Sequence, residues 1–583
     1  MYLQTLEIKN FRKISALTMS FSSGLNILLG ENNIGKTTIV DALRTLLSGP
    51  DELYTRLGLE DVNDQTLQRI TFRFVFKGLD IDQAALFMGA TVLDADGSFS
   101  AEFLAEFDAP DRLGRLKVRR YCGARNTTAM TAEMAEQLRS VYLPPLRDAS
   151  RGLKPGARSL LARLLQSVSS AEGLQQCNQI LAQVDQQLGA SQPILATKAA
   201  ISQRYNGMLG DVLTQQLDLN LSPQDIGKIA ARLAILADGF DIERNGLGYN
   251  NLIYMAAVLG ELSLAEEAVY RSLIIEEPEA HLHPQLQSIL LSYFQQEVAH
   301  GGQQVQLFVT THSPHFAALA NLDDLIKLSE HHRVLTAFSV RNANLVARQK
   351  KKLERYLDIT RADLFFARAV IMVEGAAERA LVPAMAAHLN VSLRHLGVTV
   401  VSAEGLNFDC FLPLFGRNAM PVKVATITDR DPNAIPFPAL GVHGDISNAA
   451  LAIIAMDETF RKAFIGAKTL EYDIALQGPI NRSLMLAALA EIHPVIARDL
   501  AAAVGLQLDN TEAARCLFQG MFERPEGSKN VSKAAFAQEL AEKLRENRAG
   551  FVVPEHIHAA FSWIRVPAPP RALVALPPPA LAV

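Results

Sequence analysis

Gly30-Glu31-Asn32-Asn33-Ile34-Gly35-Lys36-Thr37 fits G-x-x-x-x-G-K-[ST] at every defined position, and its flanks decide the fold. Before it runs an apolar strand, Gly24 to Leu29, preceded by another, Leu3 to Asn10; after it a helix is expected from about Lys36 through Leu47. Strand, glycine loop and helix in this order cradle an anion. Backbone N–H groups turn toward a β-phosphate and the helix N-terminus favours negative charge, while Lys36 reaches the β/γ oxygens and Thr37 offers its hydroxyl to Mg²⁺. The expected ATP contacts are Gly30, Asn32, Asn33, Gly35, Lys36, Thr37 and Thr38. A plain glycine turn with an exposed lysine would not call for those flanking elements.

A second strand, Ser272-Leu273-Ile274-Ile275, ends in Glu276-Glu277 and delivers two carboxylates to the phosphate end of the sheet. Glu276 is expected to hold Mg²⁺ through water, and Glu277 to orient the attacking water. Gln306 to Thr311 is a further strand, and it ends at His312, where an imidazole can meet a γ-phosphate. A lone histidine is more often structural; its place after this strand favours a role.

Another set of acids lies downstream. Val370 to Val373 leads into Glu374-Gly375-Ala376-Ala377-Glu378, with Glu378 in the first turn of a helix that runs to His388. Lys423 to Thr428 ends in Asp429-Arg430-Asp431, and a spacing of two places both aspartates on one side of an extended chain. Alone, E-x-x-x-E is commonly a solvated helix face and D-x-D a turn. At the ends of parallel strands, however, four carboxylates converge on one crevice, where their repulsion calls for divalent cations. Oxygen ligands select Mg²⁺ or Mn²⁺ over zinc, and two such ions suit an in-line phosphodiester displacement. Glu374 and Asp429 are expected to favour one ion, Glu378 and Asp431 the other.

Composition narrows the class. The chain has 583 residues, 49% hydrophobic and 20% charged, with 56 Lys+Arg against 61 Asp+Glu, a net charge of −5. That is a globular profile with chain enough for roughly three to four domain-sized units. No apolar run approaches the ~20 residues that span a bilayer, and the N-terminus lacks a signal-peptide core, so a cytoplasmic location without membrane contact is expected. Cys122, Cys177, Cys410 and Cys516 lack C-x-x-C spacing, which argues against a disulfide framework or thiolate zinc site; buried thiols are expected. Since the balance is slightly acidic, any DNA contact must come from metal ions or from local basic clusters: Lys117, Arg119, Arg120 and Arg125, or Arg348, Lys350, Lys351, Lys352 and Arg355. The second cluster could equally be a solvated linker.

Together the phosphate loop, EEPEAHLHP and TTHSP resemble the ABC-type ATPases of the SMC-like and OLD (overcoming lysogenization defect) families. The acids of the second set resemble a Toprim domain, and a Toprim unit after an ATPase head points to the OLD family. The resemblance implies an α/β fold: an ABC-type head of mixed sheets with a P-loop and a helical dimerisation insert, then a Toprim domain with a Rossmann-like parallel sheet and a helical C-terminal part. Its implied limits are 1–152 and 211–345 for the head, 153–210 for the insert, 346–367 for a basic linker, 368–550 for Toprim and 551–583 for a segment with a Pro-rich tail. In this class two heads sandwich ATP, the second giving a signature loop. Asn245 to Asn251, with Gly246 and Gly248 ahead of an apolar helix, resembles it but departs from L-S-G-G-Q, as Glu276 departs from the usual aspartate. By resemblance Glu471 joins the metal ligands or their surroundings, and Lys533 stabilises charge on the phosphate. Tyr142-Leu143-Pro144-Pro145-Leu146-Arg147-Asp148 is also family-like, with no chemical role evident.

The implied function is ATP-regulated, metal-dependent DNA cleavage, nicking or double-stranded, in bacterial anti-phage defence. Two ions would sit in the Toprim site and one with ATP, in a homodimer or higher oligomer with a possible helicase-like partner. The alternative is a non-nucleolytic ATP-driven DNA-binding or sensor protein acting through a separate effector. Topoisomerase chemistry would need a tyrosine nucleophile on a strand-passage domain, and primase usually zinc-binding cysteines; neither is visible.

Overall fold

In a computed structural model of the chain, described for residues 1–47, 56–67, 69–123, 128–145, 153–154, 159–209, 215, 217–219, 233–263, 268–300, 305–442, 444–546 and 549–566, three sheets carry the architecture. Arg125, Arg147, Asp148 and the tail beyond 566 lie outside the described residues.

The first sheet is antiparallel: β1 (Tyr2–Phe11), β2 (Ile14–Ser20), β4 (Ile70–Leu79), β5 (Thr91–Leu93), β6 (Phe99–Asp108), β7 (Lys117–Cys122) and β8 (Thr128–Ala129). Its strands alternate, as Phe72, Phe74 and Phe76 show by turning to one buried face. The second sheet has the order β15-β14-β3-β13-β12-β9. Here β3 is Leu25–Leu29, β9 Leu138–Leu143, β12 Tyr270–Glu276, β13 Val305–Thr311, β14 Leu325–His331 and β15 Val334–Ser339; only the β14–β15 pair is antiparallel. β3 and β12 are buried at every position because both faces are covered, hence the apolar triplets Ile27-Leu28-Leu29 and Leu273-Ile274-Ile275. A small hairpin, β10 (Leu236–Ala237) and β11 (Phe240–Asp241), precedes the helix Leu247–Ser263. Residues 153–210 include the helices Leu160–Val168, Ala171–Gly189 and Gln192–Leu209; Ser159 and Ser170 cap the first two through their hydroxyls.

The third sheet is parallel, β17-β16-β18-β19, with β16 Ala369–Val373, β17 Val398–Ser402, β18 Lys423–Thr428 and β19 Arg461–Ile465. Val370 and Met372 of β16 join the apolar core around β3, β12 and β13, whereas Ala369, Ile371 and Val373 face helices that follow. One core therefore runs from the head into the second unit.

Several expectations are corrected. Residues 346–367, expected as a basic linker, are packed structure: the helices Ala347–Tyr356 and Ile359–Ala362 fold there, with Leu353, Leu364 and Phe365 wholly buried. The chain past 550 does not leave the second unit, because the helix Glu555–Arg565 buries Ile557, Ala560 and Phe561 in the same core. Cys122 and Cys410 are buried, but Cys177 and Cys516 are only half-buried; all four are free thiols.

Candidate functional site

β3 ends at Gly30, and the loop re-enters as the helix Lys36–Leu47. Asn33 (φ 61°) and Gly35 (φ 120°) make the reversal through the left-handed region, which a side chain at Gly35 would resist. Lys36, 7% exposed, donates to the carbonyls of Gly30 (2.7 Å) and Glu31 (3.0 Å), curling into the cradle. Burial pushes its pKa down, opposed by Glu277, Glu279, Glu276 and Glu31.

The ends of β12 and β13 complete this site. Thr37 donates to Glu276 Oε2 at 2.7 Å, bringing together the two groups expected to share Mg²⁺. Tyr142 donates its hydroxyl to Glu276 Oε1 at 2.6 Å, while the Arg44 guanidinium lies 4.0 Å from its ring centroid. The tyrosine without an evident role thus holds an acid of the site. Pairing of β9 with β12 sets Tyr142 opposite Ile274, two residues before Glu276, a lateral register with no local sequence signal.

Glu277 (φ 49°) is held in a conformation unfavourable for its side chain, and Glu277 Oε1 lies 3.2 Å from His312 Nδ1. Glu279, which the sequence reading passed over, accepts from the Thr311 hydroxyl and the His312 N–H. Burial pushes its pKa up, against the Thr311 bond, and its Oε2 is buried with no hydrogen-bond partner. Its only sequence signal was a third acid in EEPE. Gly246 and Gly248 flank the start of the helix Leu247–Ser263, and a Cβ on Gly248 would meet the His281 carbonyl at 2.6 Å.

In the second unit, strand ends and a helix start gather the acids. Glu374 follows β16, and its Oε1 accepts from the Thr428 hydroxyl and from the Asp429 N–H (2.9 Å). Asp429 follows β18 and accepts from Leu470 N at 3.1 Å. Glu378 turns back to accept from Gly375 N (2.9 Å), capping its own helix. Glu471, wholly buried in the helix Leu470–Leu476, accepts from Lys533 Nζ at 3.0 Å and from the Thr469 hydroxyl at 3.1 Å.

Burial raises the Asp429 pKa well above the usual carboxylate range, and Glu374, Glu471 and Glu378 raise it further. Glu378 is raised by burial and then by Glu471 and Glu374. Burial alone would lower Lys533, but Glu471, Asp429 and Glu378 outweigh it and raise it. Four acids and one lysine therefore share a field.

Asp431 is exposed, and its φ of 47° departs from the extended chain that was expected to align it with Asp429. Glu471, expected by resemblance alone, stands in the buried cluster.

A hard divalent cation fits these donors. All are oxygens, the like charges are uncompensated apart from Lys533, and Glu471 Oε1 is buried without a hydrogen-bond partner. Among the described residues no three His, Cys, Asp or Glu side chains already form a ligand set. The bonds to backbone N–H groups occupy only Oε1 of Glu374 and Oε2 of Glu378, which leaves each carboxylate a second oxygen for a cation.

The basic clusters are partly neutralised. Arg119 pairs with Asp108 (2.9 Å) and Arg120 donates to the Thr45 carbonyl, while Lys350 and Lys352 pair with Asp323 and Asp409. Arg348, Lys351 and Arg355 remain exposed on their helix.

A model of the AAA ATPase domain matches residues 1–86 and 138–317, and one of the overcoming lysogenization defect protein-like TOPRIM domain matches 365–431. The OLD nuclease of Thermus scotoductus is 27% identical over 394 residues, 65% of this chain and 72% of that protein. Endonuclease GajA of Bacillus cereus is 26% identical over 164 residues, 23% of this chain and 24% of that protein. The solved C-terminal region of the Burkholderia pseudomallei OLD protein is 25% identical, with 34% of this chain and 98% of that one covered and a TM-score of 0.25.

Proposed function

We propose that this chain, a homologue of the OLD nucleases that joins an AAA ATPase domain to an OLD-like Toprim domain, is an ATP-hydrolysing, divalent-metal-dependent DNA endonuclease. One observation carries the reading: Glu374, Glu378, Asp429 and Glu471 crowd together beside Lys533, with Asp429 and Glu378 raised first by burial and then by the neighbouring acids. A cluster this costly to ionise suits a site that gains stability on binding cations. Two Mg²⁺ or Mn²⁺ ions there would neutralise the attacking and leaving oxygens of a phosphodiester. Glu374, Glu378, Asp429 and Glu471 are the proposed ligands from the buried cluster, with exposed Asp431 the fifth. Lys533 offsets charge on the scissile phosphate.

In the head, Lys36 and the loop from Gly30 to Thr38 bind the triphosphate, Thr37 and Glu276 hold its ion, and Glu277 with His312 orients the attacking water. One chain carries one phosphate loop and one helix start with Gly246 and Gly248, so the site calls for a second copy, with residues 153–210 as the dimerisation segment. Arg348, Lys351 and Arg355 offer DNA a sequence-independent, salt-sensitive contact. A role in anti-phage defence, with or without a helicase-like partner, rests on the OLD resemblance.

The test is plasmid nicking or linearisation with Mg²⁺ or Mn²⁺, with and without ATP. Cleavage that disappears on chelation is expected. A folded, ATP-binding protein that cuts under no condition would favour the sensor reading.

Tyr142→Phe addresses the head alone. It removes the hydroxyl from Glu276 and keeps the ring beside Arg44. The expected result is a several-fold higher Mg²⁺ requirement for ATP turnover, since a mis-set carboxylate near a ligated ion costs roughly 10–100-fold in affinity or activity. An Mg²⁺ titration of the wild type and variant checks it; superimposable curves would refute the role.

A further inference from the structure

β18 ends at Thr428, and after Asp429, Arg430 and Asp431 the chain leaves as a loop that returns at the helix Asn448–Ile454. From Pro432 to Gly444 its sequence, PNAIPFPALGVHG, holds no Asp, Glu, Lys or Arg. In a chain with 20% charged residues that is a long uncharged stretch, and it starts beside the acid cluster.

The loop is held from within. Both ends stand on Arg430, whose carbonyl accepts from Ser447 N (3.1 Å) and whose guanidinium donates to the Gly444 carbonyl (3.1 Å). Asp445 closes it by accepting from the Asn433 and Ala434 N–H groups at 3.0 and 2.8 Å. Phe437 packs edge-on against Tyr472, ring centroids 5.5 Å apart, and the Tyr472 hydroxyl donates to the Pro438 carbonyl at 2.9 Å. Pro432, Pro436 and Pro438 fix φ along the way. With Phe437 as the anchor, Ile435, Leu440 and Val442 stand out at 47%, 56% and 44% exposure. Apolar groups gathered on one braced loop, rather than scattered, mark a contact surface.

The loop's place says what the partner is. Ile435 follows Asp431 by four residues, so their Cα atoms lie within about 14 Å of each other whatever the path. A duplex that sets a phosphodiester against Glu374, Asp429 and Lys533 brings its grooves, about 6–12 Å wide, within that reach. An acid there would repel the phosphates and a lysine or arginine would stop at them, whereas apolar side chains enter a groove and part a base step. We propose that Ile435 and Leu440 press on the bases beside the scissile phosphate, wedging the duplex so that the bond to be cut is presented to the acid cluster. This inference rests on the nuclease reading of that cluster and adds how the duplex is held there.

Two paired variants of the full chain test it. Ile435→Ser with Leu440→Ser removes the apolar contact at exposed positions, and Ile435→Met with Leu440→Met restores it. In EDTA the affinity for a DNA duplex should fall about tenfold or more in the serine pair, and the methionine pair should recover most of that loss. Plasmid cleavage with Mg²⁺ or Mn²⁺ should follow the same order. The slope of log affinity against log salt should not change, because no phosphate contact is lost. The rise of the melting midpoint with Mn²⁺ should persist in both variants, since the acids are untouched. Unchanged affinity and cleavage in the serine pair would refute the contact. Loss of the Mn²⁺ response together with cleavage would refute it too, because a mere support for the cluster behaves in that way. A smaller mass by light scattering in the serine pair would assign the tip to a second copy of the chain and overturn the proposal. If the wild type binds duplex yet cuts under no condition, the nuclease reading fails, and the affinities of the two variants still decide whether this loop grips DNA.

Discussion

Glu374→Ala and Asp429→Asn are each expected to lower metal-dependent plasmid cleavage by about 10³-fold or more, because each removes a charge that holds the ions at the reacting phosphate. A merely disruptive substitution would also stop cleavage, so stability must be read beside activity. The Asp429 carboxyl has a folded pKa well above its unfolded value, set first by burial and then by Glu374, Glu471 and Glu378. Folding therefore takes up a proton at this group between the two values. Its contribution to stability falls as pH rises through that window, and above it the wild type carries the full cost of ionising a buried, crowded acid. Asparagine keeps the shape and an oxygen for Leu470 N without that cost. In the absence of metal at pH 8, Asp429→Asn should thus melt no lower than the wild type, while Mg²⁺ or Mn²⁺ should raise the wild-type midpoint more than the variant's. A variant that melts much lower would assign the aspartate to the fold rather than to the chemistry.

Local signals made the frame of the molecule legible. The helix expected from Lys36 through Leu47 forms with those bounds, and the strands that deliver Glu276, His312, Glu374 and Asp429 are where their apolar runs place them. Those features depend on chemistry within a few residues. What escaped depends on distance or on sparse patterning. The helix Ala347–Tyr356 holds only one buried residue, Leu353, in a run of charges that reads as linker. Tyr142 meets Glu276 through strand register, and Glu471 becomes a wholly buried acid only when the helix from Lys533 closes over it. The path of Asp431 escaped as well, since β18 ends at Thr428 and the chain turns left-handed at Asp431, which spacing alone does not show.

The continuous core gives the division of labour a physical form. β16 is buried on both faces, one against the head and the other against the helices of its own unit. Close-packed side chains transmit displacement better than a flexible tether would. A change in the head can therefore reach Glu374 through one strand of five residues.

Glu277→Gln should separate ATP binding from ATP hydrolysis. The side chain keeps its length and can still bond to His312, but it no longer accepts a proton from the attacking water. Turnover should fall by about 10²–10⁴-fold, the usual contribution of a positioned general base. Binding should persist, because Lys36, Thr37 and the loop amides remain. The backbone of Glu277 sits at φ 49° and is tied to the Thr310 carbonyl at 2.9 Å, so glutamine inherits a conformation fixed by the chain rather than by the charge. The check is single-turnover hydrolysis beside equilibrium ATP binding. If hydrolysis survives at near wild-type rate, the base lies elsewhere, and Glu279, buried against Thr311 and the His312 N–H, becomes the acid to replace next. If hydrolysis is lost and ATP stays bound, plasmid cleavage by this variant shows whether nucleotide occupancy alone licenses the Toprim site or whether turnover must precede the cut.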